Sequence, residues 1–241
     1  MEFQRNWPAR HQTPEALVFR VGAGKTMARG ESRLRPCGVE DAINLDQYRA
    51  VRSIARKAGR DIPQVSEAHI AHLSRYILGR NARPVWGLCH GTRHGEEQKW
   101  FRQYLGKQAR VFGTKKHVST TDHPFTIQWD FHDVDPAWLG IMDVVHFSAS
   151  EQCHDPARAF EGWAACLAPG GFLLVDHVQT DRQDGTPASA LPGLSEAGLC
   201  AMIDRVCGRH GQVTEVIECH NGASHLIRTV VFRAHDAVAC A

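Results

Sequence analysis

No stretch of this 241-residue chain approaches the ~18–20 consecutive apolar residues of a membrane-spanning helix, so no membrane partner is expected. The opening, Met1-Glu2-Phe3-Gln4-Arg5-Asn6-Trp7-Pro8, lacks the apolar core of a secretory signal. No Cys-x-x-Cys pair occurs among the eight cysteines, which removes the usual spacing of a structural zinc site. Cys37, Cys89, Cys153, Cys166, Cys200, Cys207, Cys219 and Cys240 are scattered instead. In a chain of this length without a secretion signal they read as reduced thiols, and a cytoplasmic location is expected. Cys-His neighbours occur at 89–90, 153–154 and 219–220. Adjacent residues on a strand point to opposite faces and do not share one metal, so no metal is expected. No internal repeat is visible.

Strong charge of one sign is also missing: the net charge is +2. Residues 1–60 hold 12 Lys and Arg against 6 Asp and Glu, a charge of +6, which leaves −4 for the rest. This falls short of the clustered basic stripe of nucleic-acid binders, and no nucleic-acid partner is expected. What is present is an ordinary globular composition, 43% hydrophobic and 22% charged, in a chain long enough for one α/β domain with an extension.

The first 39 residues carry breakers at Pro8, Pro14, Gly22, Gly24, Gly30, Pro36 and Gly38 and read as a loop-rich basic arm. Within it Val21-Gly22-Ala23-Gly24-Lys25-Thr26 imitates a phosphate loop. Phe19 stands where that motif needs glycine, and no strong strand precedes it. Helical spacing follows over 40–60. A second helix is signalled by Asp61-Ile62-Pro63 and by Val65, Ile70, Leu73, Tyr76 and Ile77, ending at Gly79. Residues 40–83 thus form a helical extension that either caps a ligand edge or covers one face of a sheet.

From residue 84 strand and helix periods alternate, which predicts a parallel sheet. Strands are expected over 85–88, 109–112, 126–129, 142–147 and 172–175, and two closing strands over 213–218 and 226–232. Asn221-Gly222 marks a hairpin turn between the last two. Helices are expected over 95–105 and 194–207, with two more opened by Asp135-Pro136 and Asp155-Pro156. Pro169-Gly170-Gly171 is read as a helix stop, and 179–189 as a polar loop.

The most informative segment is Val85-Trp86-Gly87-Leu88-Cys89-His90-Gly91-Thr92-Arg93-His94-Gly95-Glu96-Glu97. A short apolar strand, a glycine-bearing turn and a polar helix start place backbone N–H groups at the carboxyl edge of a sheet. Open α/β sheets bind nucleotide-like ligands there.

Four motifs in order resemble those of class I S-adenosyl-L-methionine-dependent methyltransferases. Leu88-Cys89-His90-Gly91-Thr92-Arg93-His94-Gly95 looks like the first motif of that family. Asp130-Phe131 looks like its acidic-aromatic pair, and Asp143-Val144-Val145-His146-Phe147-Ser148 like its fourth-strand motif. Leu167-Ala168-Pro169-Gly170-Gly171 looks like its entry to the fifth strand. Cys89-His90-Gly91-Thr92-Arg93 with Glu97-Gln98, and Trp129-Asp130-Phe131-His132, resemble more narrowly a bacterial and phage group of methyltransferase-like proteins. The match spans roughly residues 65–235.

The resemblance implies an α/β fold: a Rossmann-like, mostly parallel seven-stranded sheet with an antiparallel final hairpin and the N-terminal helical extension. Residues 84–241 would be the cofactor domain. S-adenosylmethionine would lie across the carboxyl ends of the strands. Cys89, His90, Gly91 and Thr92 would face its methionine part, with Gly95 opening the helix. Gly113, Thr114 and Lys115 would meet its ribose. Asp130 would take the adenine amino group, Phe131 would wall the base, and Ser148 would sit below the sulfonium. Cys89 reads as a small lining residue rather than a nucleophile. A base for the acceptor would come from Glu151, His154 or His177.

One departure stands out. The family carries an acid at the end of the second strand, where this chain has Lys115. A lysine cannot accept hydrogen bonds from ribose hydroxyls. Another group takes the ribose, or the ligand carries an anion there, or the domain is a catalytically silent binding or scaffold protein. The leading expectation is methyl transfer to a small-molecule acceptor.

Overall fold

Alternating hydrophobic periods become alternating elements in the computed structural model, which describes residues 65–80, 86–92, 95–116, 123–148, 153–178, 180–181, 187–188, 195–221 and 225–237. The arm over 1–39, its phosphate-loop imitation and the helix expected over 40–60 lie outside the described residues.

The strands are β1 (Trp86–His90), β2 (Arg110–Lys115), β3 (Thr126–Gln128), β4 (Met142–Phe147), β5 (Leu167–Val178), β6 (Thr180–Asp181), β7 (Pro187–Ala188), β8 (Gly211–Asn221) and β9 (His225–Ala234). Seven of them form one sheet in the order β3-β2-β1-β4-β5-β9-β8. The first five run parallel, and β9 is antiparallel to both β5 and β8. This is the sheet the sequence predicts. The small pair β6 and β7 forms within the stretch read as a polar loop. The final strands reach further than expected, so Asn221 is paired with His225 rather than standing in the turn.

Among the described residues four α-helices accompany the sheet: α1 (Glu67–Leu78), α2 (Glu96–Leu105), α3 (Pro156–Cys166) and α4 (Glu196–Cys207). The helix starts obey their caps. Asp155 Oδ1 accepts from Arg158 N, with Pro156 in the first turn. Asp135 does the same for Ala137 N, but its helix is a single 3-10 turn, Pro136–Trp138. Helix α1 is capped by Ser66, whose Oγ accepts from His69 N, and the Asp61-Ile62-Pro63 signal lies outside the described residues.

Pro169-Gly170-Gly171 is not a helix stop. Helix α3 ends at Cys166 and β5 begins at Leu167, so the Pro-Gly-Gly lies at an irregularity of that strand. Gly170 holds φ +69° and donates its N–H to His235 O at 3.0 Å. A Cβ on Gly171 would stand 2.8 Å from Met142 O, so only glycine lets β5 approach β4 here.

Both faces of the sheet are covered, which is why β1 and β4 are buried along their whole length. On one face α3 and α4 bring Phe160, Trp163, Leu199 and Ile203 against Leu88, Phe112, Val145 and Phe147. On the other, α1 and α2 bring Ile70, Leu73, Ile77, Phe101 and Leu105 against Cys89, Val111, Val144 and Leu174. Of the two placements open for α1, the structure shows the sheet face. Among the described residues, no helix is long and apolar enough to cross a membrane.

Candidate ligand site at the carboxyl edge of the sheet

The strand order reverses between β1 and β4, because the chain runs outward through β2 and β3 and then returns to β4 on the other side of β1. Ligands of open α/β sheets bind outside the carboxyl ends at such a switch point. One rung of pairing defines that edge: Ile127, Thr114, His90, Phe147 and Val175 lie side by side on β3, β2, β1, β4 and β5. Gly91, Lys115 and Ser148 come one residue later, so Gly91 and Ser148 flank the switch point.

At the end of β1 the chain turns through Gly91, with φ +70°, and enters α2 through Gly95, with φ +79°. These two left-handed positions need glycine. Thr92 holds the turn closed. Its N–H donates to Thr114 O at 3.2 Å, its hydroxyl donates to Glu97 Oε2 at 2.6 Å, and it accepts Gly95 N–H at 3.2 Å. Gly95 has no side chain to cap the helix it opens.

His90 is buried at the same turn, 2% exposed. Its ring stacks on Trp163 at 4.8 Å between centroids, and its Nδ1 is 2.9 Å from Thr114 Oγ1. Burial, with His132 nearby, pushes its pKa down to about 3, so the imidazole is neutral. Its Nε2 has no hydrogen-bond partner among the described residues. An orphaned buried nitrogen is a cost of ~1–3 kcal/mol unless a partner arrives.

The β3 side of the edge is polar and tightly connected. Asp130 Oδ1 accepts from His132 N at 3.1 Å and pairs with His132 Nδ1 at 2.7 Å, while Asp130 Oδ2 accepts from Lys116 Nζ at 2.7 Å. The His132 hydrogen bond, with help from Lys116, holds the Asp130 carboxyl well below the usual carboxylate range against the upward pull of burial. His132 Nε2 faces Cys153 Sγ at 3.8 Å, and the His154 ring lies 3.8 Å from the His132 ring. Burial pushes the Cys153 thiol up, so it is neutral. Burial, with His132 beside it, lowers the pKa of His154. Phe131 is turned inward, packed on Phe147 at 5.3 Å, with its carbonyl accepting Trp163 Nε1–H at 2.8 Å.

The structure therefore gathers His90, Gly91, Thr92, Gly95 and Thr114 around the β1 turn, with Lys115 closing β2 beside them. It gathers Asp130, Phe131 and His154 around the end of β3, and Ser148 stands half-buried at the end of β4. Three expected residues sit elsewhere. The Cys89 side chain packs in the core beneath α1 and α2, with its thiol pushed well up by burial. The space over Gly113 is filled by the protein itself, since a Cβ there would meet Thr92 Cγ2 at 2.6 Å and Gln98 Nε2 at 2.7 Å. His177 lies inside β5, paired with Arg228 and 2% exposed, because that strand continues to Val178. Glu151 lies outside the described residues.

His132 and Lys116 are the members of this site to which the sequence assigns no role. The signal for His132 was present: an Asp two residues before a His after a strand end forms a turn in which the carboxylate takes the His N–H.

A nucleoside-sulfonium ligand fits this residue set at the β1 turn, where His90 Nε2 is unpartnered and Gly91 takes the left-handed conformation. The set supplies no carboxylate at Lys115 for a ribose.

No protein-family model and no curated protein matches the chain by sequence. Solved structures do match in fold. The Burkholderia thailandensis 1,6-didemethyltoxoflavin-N1-methyltransferase, bound to 1,6-didemethyltoxoflavin and S-adenosylhomocysteine, has a TM-score of 0.57 at 14% identity, over 83% of this chain and 94% of that one. The CurJ carbon methyltransferase has a TM-score of 0.52 at 14% identity, over 79% of this chain. The chain spans 60% of the length of that second structure. The protein has the Rossmann-like fold of class I S-adenosylmethionine-dependent methyltransferases.

Proposed function

We propose that the protein binds S-adenosylmethionine at the carboxyl edge between β1 and β4 and directs its methyl group to a small-molecule acceptor. The observation that carries this reading is His90: a neutral, buried imidazole at the topological switch point with its Nε2 unpartnered. A solved methyltransferase of the same fold, bound to S-adenosylhomocysteine, supports it.

Bound there, the cofactor supplies an activated methyl on a sulfonium. The chain's own task is positional, since alignment alone can supply roughly 7–11 kcal/mol of the barrier. His90, Gly91 and Thr92 hold one end of the ligand. Asp130, kept ionised by His132 and Lys116, accepts from the base at the other. Ser148 faces the gap between them. His154, whose pKa lies below its ordinary value, stays neutral near pH 7 and can accept a proton from the acceptor.

A second reading has its own observation. With Lys115 in place of the ribose acid and Asp130 already bonded by Lys116 and His132, the fold can persist as a catalytically silent scaffold, or a binding domain for a different ligand, that does not hold the cofactor. Calorimetry with S-adenosylhomocysteine separates the two. Binding at or below ~1 mM, weakened in His90→Ala, supports the first. No heat at ~1 mM, which is only about 4 kcal/mol of affinity, leaves the silent domain.

A further inference from the structure

We infer that His69, His146 and Asp176 form a binding site for one divalent transition-metal ion, Zn²⁺ foremost, buried between α1 and the sheet and separate from the carboxyl-edge site. The three residues come from three elements, α1, β4 and β5, and their ligand atoms lie within 4.8 Å of one another. They are 0%, 1% and 1% exposed. His69 Nε2 is 3.0 Å from Asp176 Oδ1, and His146 Nε2 is 3.0 Å from Asp176 Oδ2. Two donors each about 2.1 Å from a metal and roughly at right angles stand about 3.0 Å apart. Both His–Asp separations thus suit donors around one ion, and all three donor atoms lie within 4.8 Å of one another.

The surroundings are those of a held ligand set. Thr229 Oγ1 donates to Asp176 Oδ1 at 2.6 Å and lies 3.5 Å from His69 Nε2, as hydrogen bonds orient metal ligands. Phe101 packs its ring edge on His146 at 5.3 Å, so the imidazole cannot swing away. A carboxylate this deeply buried needs a positive partner. A divalent ion held by the three residues would provide one. Enclosure by α1 on one side and the sheet on the other means that the ion would tie α1 to β4 and β5. The spacing 69, 146 and 176 is non-local, so no short sequence pattern could display it.

The test uses the full chain. Metal content of the purified protein is measured, the protein is stripped with a chelator, and Zn²⁺ or Co²⁺ is added back while thermal unfolding and the visible Co²⁺ spectrum are followed. The expected result is about one ion per chain, a Tm that falls by several degrees on stripping and recovers with Zn²⁺, and a Co²⁺ spectrum with nitrogen and oxygen ligands. Asp176→Asn should lose the ion. Should that variant fail to fold, His69→Gln on the outer helix should weaken Co²⁺ binding at least ~10-fold. Three results overturn the assignment: no bound ion with a Tm indifferent to chelator and Zn²⁺, a Co²⁺ site unchanged in His69→Gln, or a spectrum dominated by thiolate ligation. The first would leave the three residues as hydrogen-bonded partners only.

Discussion

Lys116 Nζ stands 2.7 Å from Asp130 Oδ2, so the residue following β2 holds the carboxylate that follows β3. The lysine is exposed, with 72% of its side chain open to solvent. Exposed ion pairs contribute ~0–1 kcal/mol to stability, so the contact matters more for what Asp130 is free to accept. Lys116→Met should leave the urea midpoint nearly unchanged and tighten S-adenosylhomocysteine binding about tenfold, as one carboxylate oxygen is released for the ligand. Calorimetry and urea titration of the same variant check both halves. Weaker binding would show that Lys116 itself touches the ligand.

Lys115 occupies the position of the family's ribose acid. If the lysine is a simple loss, Lys115→Glu should raise S-adenosylhomocysteine affinity by about tenfold or more, because a carboxylate offers acceptors to both ribose hydroxyls. If Lys115 serves an anion on a different ligand, the same change should abolish that ligand's binding and leave S-adenosylhomocysteine unimproved. Paired titrations with S-adenosylhomocysteine and with an adenosine phosphate distinguish these outcomes.

Gly113 tests whether the β2 end is packed by the chain. A Cβ there collides with Thr92 and Gln98, which hold the β1 turn and bond Thr126 Oγ1 at 2.7 Å. Gly113→Ala should cost ~1–3 kcal/mol in urea unfolding. The contrasting variant is Gly79→Ala, at φ −68° with no atom nearer than 3.5 Å, which should be neutral or slightly stabilising. Equal effects of the two would contradict this account of the turn.

His90 gives the fold an acid sensitivity of definite sign. Its pKa is about 3 when folded against 6.5 as a free side chain, so between these values the unfolded chain carries a proton that the folded one lacks. Its contribution to stability is complete above about pH 6.5 and is lost as pH falls toward 3, at up to ~1.4 kcal/mol per pH unit. Urea midpoints at pH 7, 6 and 5 should fall more steeply for the native chain than for His90→Asn, which does not titrate. Parallel slopes would mean His90 is not held neutral.

The fold was legible because its signals are local. The Asp155-Pro156 cap starts α3 where it is read, and the apolar 142–147 run is β4 to the residue. The misreadings share one cause, which is contact between distant segments. Pro169-Gly170-Gly171 reads as a helix stop until Gly170 is seen bonded to His235, the residue after β9. Likewise, Gly113 reads as a cofactor-binding residue until Thr92 and Gln98 are seen filling the space beside it. For the site, the β1 turn was visible from its glycines, and Asp130 from its place after a strand. What no pattern showed was who partners whom: the grip of Lys116 and His132 on Asp130, and the convergence of His69, His146 and Asp176, depend on tertiary structure.

The most direct measurement follows the methyl resonance of S-adenosylmethionine labelled with ¹³C at its methyl group as protein is added. The account predicts a saturable shift with one site per chain, diminished in Asp130→Ala and in His90→Ala. A methyl resonance unmoved at ~1 mM ligand, with the protein folded, would contradict it.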